Sequence, residues 1–71
     1  MRPMTKGQRI KALRKKRGFP TQQEFANALG VHTSTVSRWE SGAVDVPQGM
    51  LRGIAATFDM TMHGMLRGVD S

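Results

Sequence analysis

The stretch that decides the fold, TQQEFANALGVHTSTVSRWESG at residues 21–42, predicts two short helices joined by a tight turn. Thr21 and Glu24 have the spacing of a capping box, in which the threonine hydroxyl accepts from the Glu24 amide and the carboxylate accepts from the Thr21 amide. The first helix is therefore expected to begin at Gln22. It should end at Gly30, because glycine readily adopts the left-handed conformation that terminates helices.

The second helix of this stretch is expected to run over residues 33–41. Val36 and Trp39 lie on its inward face, and this spacing favours a core position for Trp39 over stacking on a base. The first helix contributes one apolar stripe to the same core, formed by Phe25, Ala26 and Leu29.

Helices are also predicted on both sides of this stretch. A second capping box, formed by Thr5 and Gln8, predicts a basic first helix that ends at Gly18. Pro47 is expected to open a fourth helix. Thr61 is expected to cap a short last helix.

These elements make five helices in a single all-α domain over residues 1–71. Residues 1–4 are interpreted as a loose arm and residues 69–71 as a frayed tail. The last helix is expected to close at Gly68. Four methionines are expected to pack in the core or in a dimer interface rather than to line a binding groove: Met50, Met60, Met62 and Met65.

The composition indicates a small domain with an anionic partner. The chain has 71 residues, no cysteine, and eleven Lys and Arg against five Asp and Glu, for a net charge of +6. A domain of this size buries only about 60% of its unfolded surface. Without disulfides, it therefore depends on compact helix packing or on a dimer partner.

The sequence lacks the patterns of several other protein classes. It has no secretory signal and no apolar run long enough to span a bilayer, which predicts a cytoplasmic protein. His32 and His63 have no cysteines or acidic clusters at metal-ligand spacing. No base stands at a recognisable spacing from a serine or threonine, and no glycine loop suits phosphate binding. We therefore expect no enzyme, metal site or cofactor.

The central stretch resembles the lambda-repressor-like helix-turn-helix family, to which the phage repressors and Cro belong. The resemblance extends over residues 6–67. It implies a compact five-helix DNA-binding domain in which helices 2 and 3 form the helix-turn-helix. The residues that carry it are Gln22-x-Glu24-x-Ala26, Leu29-Gly30-Val31 and Thr35-Val36-Ser37-Arg38-Trp39-Glu40-x-Gly42.

The second helix of the motif carries the candidate base-reading residues. The major groove is about 12 Å wide, admits one helix and displays a distinct pattern of donors and acceptors for each base pair. Arg38 is the strongest candidate, because its guanidinium can pair with O6 and N7 of guanine. The resemblance implies that Thr33, Ser34 and Ser37 also face base edges.

Candidate phosphate contacts surround the motif. Gln22 begins the first motif helix, where free backbone N–H groups and the positive end of the helix dipole favour an anion. Thr35 is assigned the same role. A charged last turn also stabilises the negative end of helix 1, so a solvated role stays open for its basic residues. Salt-dependent affinity for phosphates is expected from Arg2, Lys6, Lys15, Lys16 and Arg17.

Two further expectations concern how the reading helix is held. The resemblance implies that Arg14 and Glu40 form a buried ion pair between helix 1 and the reading helix. His32 stands where a serine or threonine usually caps this helix, so the cap is expected to pass to Thr33.

The resemblance implies a sequence-specific transcriptional regulator that binds double-stranded DNA, most simply a Cro-like or autoregulatory repressor of a phage or prophage. A homodimer would place two reading helices about 34 Å apart on a palindromic operator. The last helix and the loop at residues 43–46 are expected to form the dimer surface, with a protein contact through Val44 and Val46. Neither a membrane partner nor a small-molecule ligand is expected.

Three alternatives stay open. An antitoxin would combine DNA binding with a toxin partner, although the chain has no long extra segment to wrap one. A protein-interaction module on the same fold would have lost DNA binding, which Arg38 and the basic first helix argue against. Membrane-surface binding through helix 1 ranks last, because the core needs the apolar face of that helix.

Overall fold

The computed structural model describes residues 4–69, and within them the chain forms five helices and no strand, which confirms the all-α prediction. No helix in this part of the chain is long and apolar enough to cross a membrane. The helices are α1 (Lys6–Lys16), α2 (Gln22–Leu29), α3 (Thr33–Ser41), α4 (Gln48–Thr57) and α5 (Met62–Met65).

Threonine side chains begin three of the helices. Thr5 and Gln8 form the full predicted capping box at α1. At α2 only half of the box forms: the Thr21 hydroxyl accepts from the Glu24 amide at 3.1 Å. The predicted return bond from Glu24 is wrong, since this exposed carboxylate keeps its hydration and gains little from a second bond. Thr61 caps α5 by accepting from the amide of Gly64.

The last two helices differ from the predicted bounds. Pro47 is the N-cap of α4 rather than its first helical residue, with an extended ψ of 140°. Helix α5 ends at Met65, before the predicted stop at Gly68. Beyond it the Arg67 amide donates to the Gly64 carbonyl three residues back, the tighter spacing of a helix end. The Arg9 guanidinium also donates to the carbonyls of Gly64 and Met65 and so satisfies this end.

The two ends of the described chain are joined. The Met4 amide donates to the Gly68 carbonyl at 3.2 Å, and Met4 pairs with Val69 in an isolated parallel bridge. The structure thus pairs Met4, the last residue of the predicted arm, with Val69, the first residue of the predicted frayed tail. The rest of those two segments, residues 1–3 and 70–71, lies outside the described residues.

All five helices contribute to the core, which includes an aromatic cluster and the inward face of α3. The rings of Phe25 and Phe58 stack with centroids 5.1 Å apart, and Phe19 packs against both. Each such pair adds about 0.5–1.5 kcal/mol beyond area burial. Trp39 is only 3% exposed, which confirms its predicted core position. Among the methionines, Met65 is buried and three others pack partly buried against the core: Met50, Met60 and Met62.

A buried polar network joins the first three helices. Arg14 in α1 and Glu40 in α3 are 3% and 8% exposed and form the ion pair that the resemblance implies, with Nε and Oε2 2.8 Å apart. Arg14 also donates to the Phe19 carbonyl at 2.9 Å, and Gln22 in α2 donates to Glu40 at 3.0 Å. The network therefore fixes the end of α1, the start of α2 and the end of α3 relative to one another.

Helices α1 and α3 also approach closely at Gly7. A Cβ atom added to this glycine would overlap the Trp39 carbonyl and lie against the backbone of Glu40. Only glycine lets the two backbones lie this close without displacement. The crossing of α1 over the end of α3 thus depends on one missing side chain as well as on the ion pair.

Removal of the Glu40 charge should destabilise the fold strongly. Glu40→Gln leaves the buried Arg14 guanidinium without its counter-charge, so the free energy of unfolding should fall by about 3–5 kcal/mol in urea titration. Glu24→Gln is the matched control, since Glu24 is exposed in the first turn of α2 and its charge contributes about 1 kcal/mol or less there. Equal effects of the two substitutions would contradict the role of the network.

A methyl group at Gly7 should separate α1 from α3. Gly7→Ala is expected to lower the free energy of unfolding by about 1–3 kcal/mol, the usual cost of overpacking. Gly53→Ala is the control, because nothing lies within 4 Å of an added Cβ at that position in α4. It should stabilise the protein by up to about 1 kcal/mol through helix propensity. Thermal unfolding followed by circular dichroism measures both, and equal stabilisation would refute the close approach.

Candidate nucleic-acid interface

Helix α3 divides cleanly into a buried and an exposed face. Val36, Trp39 and Glu40 are buried against the rest of the domain. The side opposite carries Ser34, Ser37 and Arg38, all exposed, while Thr33 and Thr35 are half-buried. The fold therefore presents polar side chains of α3 to solvent on a helix whose other face is anchored.

Arg38 has an anchored backbone and an available side chain. Its carbonyl accepts from the Ser41 hydroxyl at 3.1 Å and from the Val44 amide at 3.3 Å. Within residues 4–69 its guanidinium forms neither a hydrogen bond nor an ion pair. A planar group with five donors is thus held on a fixed helix and left without a partner among these residues.

The start of α3 differs from the sequence-based expectation. His32 is the N-cap, with extended φ and ψ of −73° and 148°, and its side chain makes no capping bond. The prediction that Thr33 takes over the cap is wrong, because Thr33 is already helical and an N-cap residue is not. Its hydroxyl donates instead to Oε1 of Gln23 in α2, at 2.7 Å.

The N-terminus of α2 has donors available for an anion. Within the described part of the chain, the backbone amides of Gln22 and Gln23 have no acceptor. The Gln22 side chain is half-buried and donates to Glu40 at 3.0 Å. Since an amide nitrogen has two N–H groups, one remains for an outside acceptor.

The predicted basic phosphate contacts fall at opposite ends of α1. Lys15, Lys16 and Arg17 are exposed at its C-terminal end, which the buried network joins to the start of α2. Lys6 lies at the other end of the helix, about 15 Å away. Its Nζ is 3.9 Å from Oδ2 of Asp45, so a nearby carboxylate already offsets part of its charge. The network thus joins the end of α1 that carries the first three residues to the start of α2, while Lys6 lies apart.

The loop between α3 and α4 contradicts one expectation. Val46 is 3% exposed and belongs to the core, so its predicted protein contact is wrong. Val44 is 47% exposed. It borders a surface cavity of about 170 Å³ that Trp39 and Lys6 also line. That is small beside the roughly 300–1,000 Å³ of typical ligand pockets.

Sequence reasoning missed Gln23 and Arg9. Gln23 bonds to Asn27 one helical turn later, a spacing that the sequence does show. Its bond to Thr33 depends on how α2 meets α3, and the bonds of Arg9 reach residues 55 and 56 positions away. Neither contact has a local signal. The described residues also contain no group of three or more His, Asp or Glu able to hold a metal ion.

The chain is similar to known proteins in both sequence and fold. A sequence model described as helix-turn-helix matches residues 10–64. The solution structure of the DNA-binding domain of the P22 C2 repressor, residues 1–76, superposes with a TM-score of 0.81 at 25% sequence identity. The alignment covers 96% of this chain and 88% of that one. No curated protein matches the chain significantly.

The matched residues include all of α2 and α3, with the exposed face of α3 and the network that anchors it. The family and the fold are those of DNA-binding regulators, which are not enzymes. From its sequence match and its structure, the chain belongs to the lambda-repressor-like helix-turn-helix family.

Proposed function

We propose that this protein is a sequence-specific transcriptional regulator that binds double-stranded DNA, and that it acts as a Cro-like or autoregulatory repressor. The observation that carries the proposal is the exposed face of α3, where Ser34, Ser37 and Arg38 project from a helix held rigidly from behind. Family membership supports DNA binding. The exposed side chains support the reading of a sequence, since each of them can hydrogen-bond to a base edge.

Arg38 is proposed as the main base-reading residue. Its guanidinium has no partner within residues 4–69, so contact with guanine would break no internal bond. The anchored backbone of α3 limits the conformational freedom lost on binding. Ser34 and Ser37 are proposed to contact neighbouring base edges. Their short side chains require close approach or a bridging water.

The effect of Arg38→Ala should depend on sequence. We expect a loss of about 1–3 kcal/mol on the preferred duplex and a relaxed preference at one base pair, because one bidentate pair is removed. Binding isotherms by fluorescence anisotropy would measure this on the preferred duplex and on a scrambled duplex. Circular dichroism should show an intact fold, since Arg38 is exposed. An equal loss on both duplexes would contradict base reading.

Phosphate binding is proposed for the corner where α1 ends and α2 begins. Lys15, Lys16 and Arg17 are exposed there, and the first amides of α2 have no acceptor within residues 4–69. The α2 dipole adds positive potential at the same place. Gln22 and Thr35 are proposed to make further contacts with the phosphate backbone of DNA. Such contacts fix the register of the protein on DNA without reading its sequence.

Lys16→Ala should change the salt dependence of binding without changing sequence preference. Each phosphate neutralised contributes about 0.9 to the slope of log affinity against log salt, so the slope should fall by about one unit. Arg67→Ala is the control and should leave the slope unchanged. Arg67 lies in the segment 64–68, which bonds to Arg9 and Met4 and so lies near the start of α1, away from its last turn. An unchanged slope for Lys16→Ala would leave Lys16 as a solvated surface charge.

A homodimer on a palindromic operator completes the proposal. One helix in the major groove contacts only a few base pairs, and a twofold axis places a second copy one helical turn away. Val44 is 47% exposed, and among residues 4–69 it is the one large hydrophobic residue that is exposed. We therefore propose that Val44 contributes to the dimer surface.

Sedimentation equilibrium should detect the dimer and its dependence on Val44. Val44→Asp is expected to weaken self-association, because a charge would enter the interface without a partner. Ala43→Asp is the matched control, since it adds the same charge at the neighbouring exposed position. A protein that stays monomeric at all concentrations, on and off DNA, would refute the dimer. Equal weakening by both substitutions would place the interface elsewhere.

A further inference from the structure

The Thr33 hydroxyl differs from the other hydroxyls at the start of α3. Residues 33–37 contain four of them, and within the described chain only that of Thr33 makes a side-chain hydrogen bond. The bond runs to Gln23 in α2, ten positions earlier, and is short at 2.7 Å. Thr33 thus enters the proposed interface with a bond already made, whereas Ser34 and Ser37 do not.

The partner of Thr33 is itself oriented by a neighbour. The Gln23 amide nitrogen donates to Oδ1 of Asn27 at 3.0 Å, one turn further along α2. This bond turns the Gln23 oxygen toward Thr33, where it accepts the hydroxyl proton. The three side chains form a hydrogen-bond chain in which every donor points the same way: Thr33 donates to Gln23, and Gln23 donates to Asn27.

The direction of this chain limits what Thr33 can offer to a base. A hydroxyl has one donor and two acceptor lone pairs. When the donor is occupied, only acceptor capacity remains. In the major groove an acceptor suits the amino groups of adenine N6 and cytosine N4, and it meets another acceptor at guanine O6 or thymine O4.

We propose that Thr33 is a specificity-determining residue that reads an exocyclic amino group, and that Gln23 is the positioning residue that imposes this preference. The inference rests on the proposed function and deepens it, because it assigns a base class to one position of the operator. Ser34 and Ser37 carry no such restriction, since their hydroxyls can rotate to donate or accept.

The test is selection from a random duplex library with five purified proteins. These are the wild type, Thr33→Val, Gln23→Leu, the double variant, and Gln48→Leu as the control. Gln48 is exposed at the start of α4, and its side chain makes no hydrogen bond within residues 4–69. The base pair read by Thr33 is the one whose preference Thr33→Val abolishes. Thermal unfolding of each variant checks that the fold is kept.

At that base pair the wild type should prefer adenine or cytosine on the contacted strand by about fivefold, the equivalent of one net hydrogen bond. Gln23→Leu should free the hydroxyl proton and remove most of this preference, while the preference associated with Arg38 is retained. The double variant should match Thr33→Val, because the two residues act through one bond. Gln48→Leu should match the wild type.

Three results would overturn the inference while leaving the proposed function in place. The wild type could prefer guanine or thymine at the Thr33 position, Thr33→Val could alter no base preference, or Gln23→Leu could leave the preference unchanged. Enrichment of no duplex by the wild type would instead refute sequence-specific binding itself, and the inference with it.

Discussion

The ion pair between Arg14 and Glu40 is the constraint on which the rest of the structure depends. Both groups are buried, so each charge is tolerable only because the other lies 2.8 Å away. Arg14 also holds the link after α1 through Phe19, and Glu40 also holds the start of α2 through Gln22. A small domain without disulfides thereby fixes three helices around one polar contact.

The proposed separation of base contacts from phosphate contacts follows from that arrangement. The network faces inward, so the opposite side of α3 is left exposed and the end of α1 is joined to the start of α2. The proposed base contacts and the proposed phosphate contacts then come from different elements of one rigid unit. This matters energetically, because groups that are already positioned lose little conformational freedom on binding.

The local parts of this structure were predictable from the sequence, and the long-range parts were not. Thr21 and Gly30 predicted the bounds of α2, because these signals act within a few residues. The bonds that satisfy the end of α5 come from Arg9, which lies more than fifty positions away. The capping role expected for Thr33 also failed, because His32 holds the extended N-cap conformation and Thr33 is already helical. Its hydroxyl bonds instead to Gln23 in another helix, a contact with no local signal in the sequence.

The same limit applies to the candidate site. The helical periodicity of the apolar residues in α3 was enough to predict that Arg38 is exposed and Trp39 buried. It could not show that Val46 turns into the core while Val44 turns out, because the path of that loop is set by its contacts with the helices around it. The proposed roles of the exposed residues concern contacts with DNA, which the pattern of buried and exposed positions does not specify.

Selection from a random duplex library with the wild-type protein, at about 0.15 M ionic strength, tests the central claim most directly. If the outward face of α3 reads DNA and the protein pairs on a twofold axis, the enriched site should be a palindrome. Its half-site centres should lie about 10–10.5 base pairs apart. Enrichment of no sequence, even at lower salt where phosphate contacts are strongest, would contradict the claim that α3 reads bases.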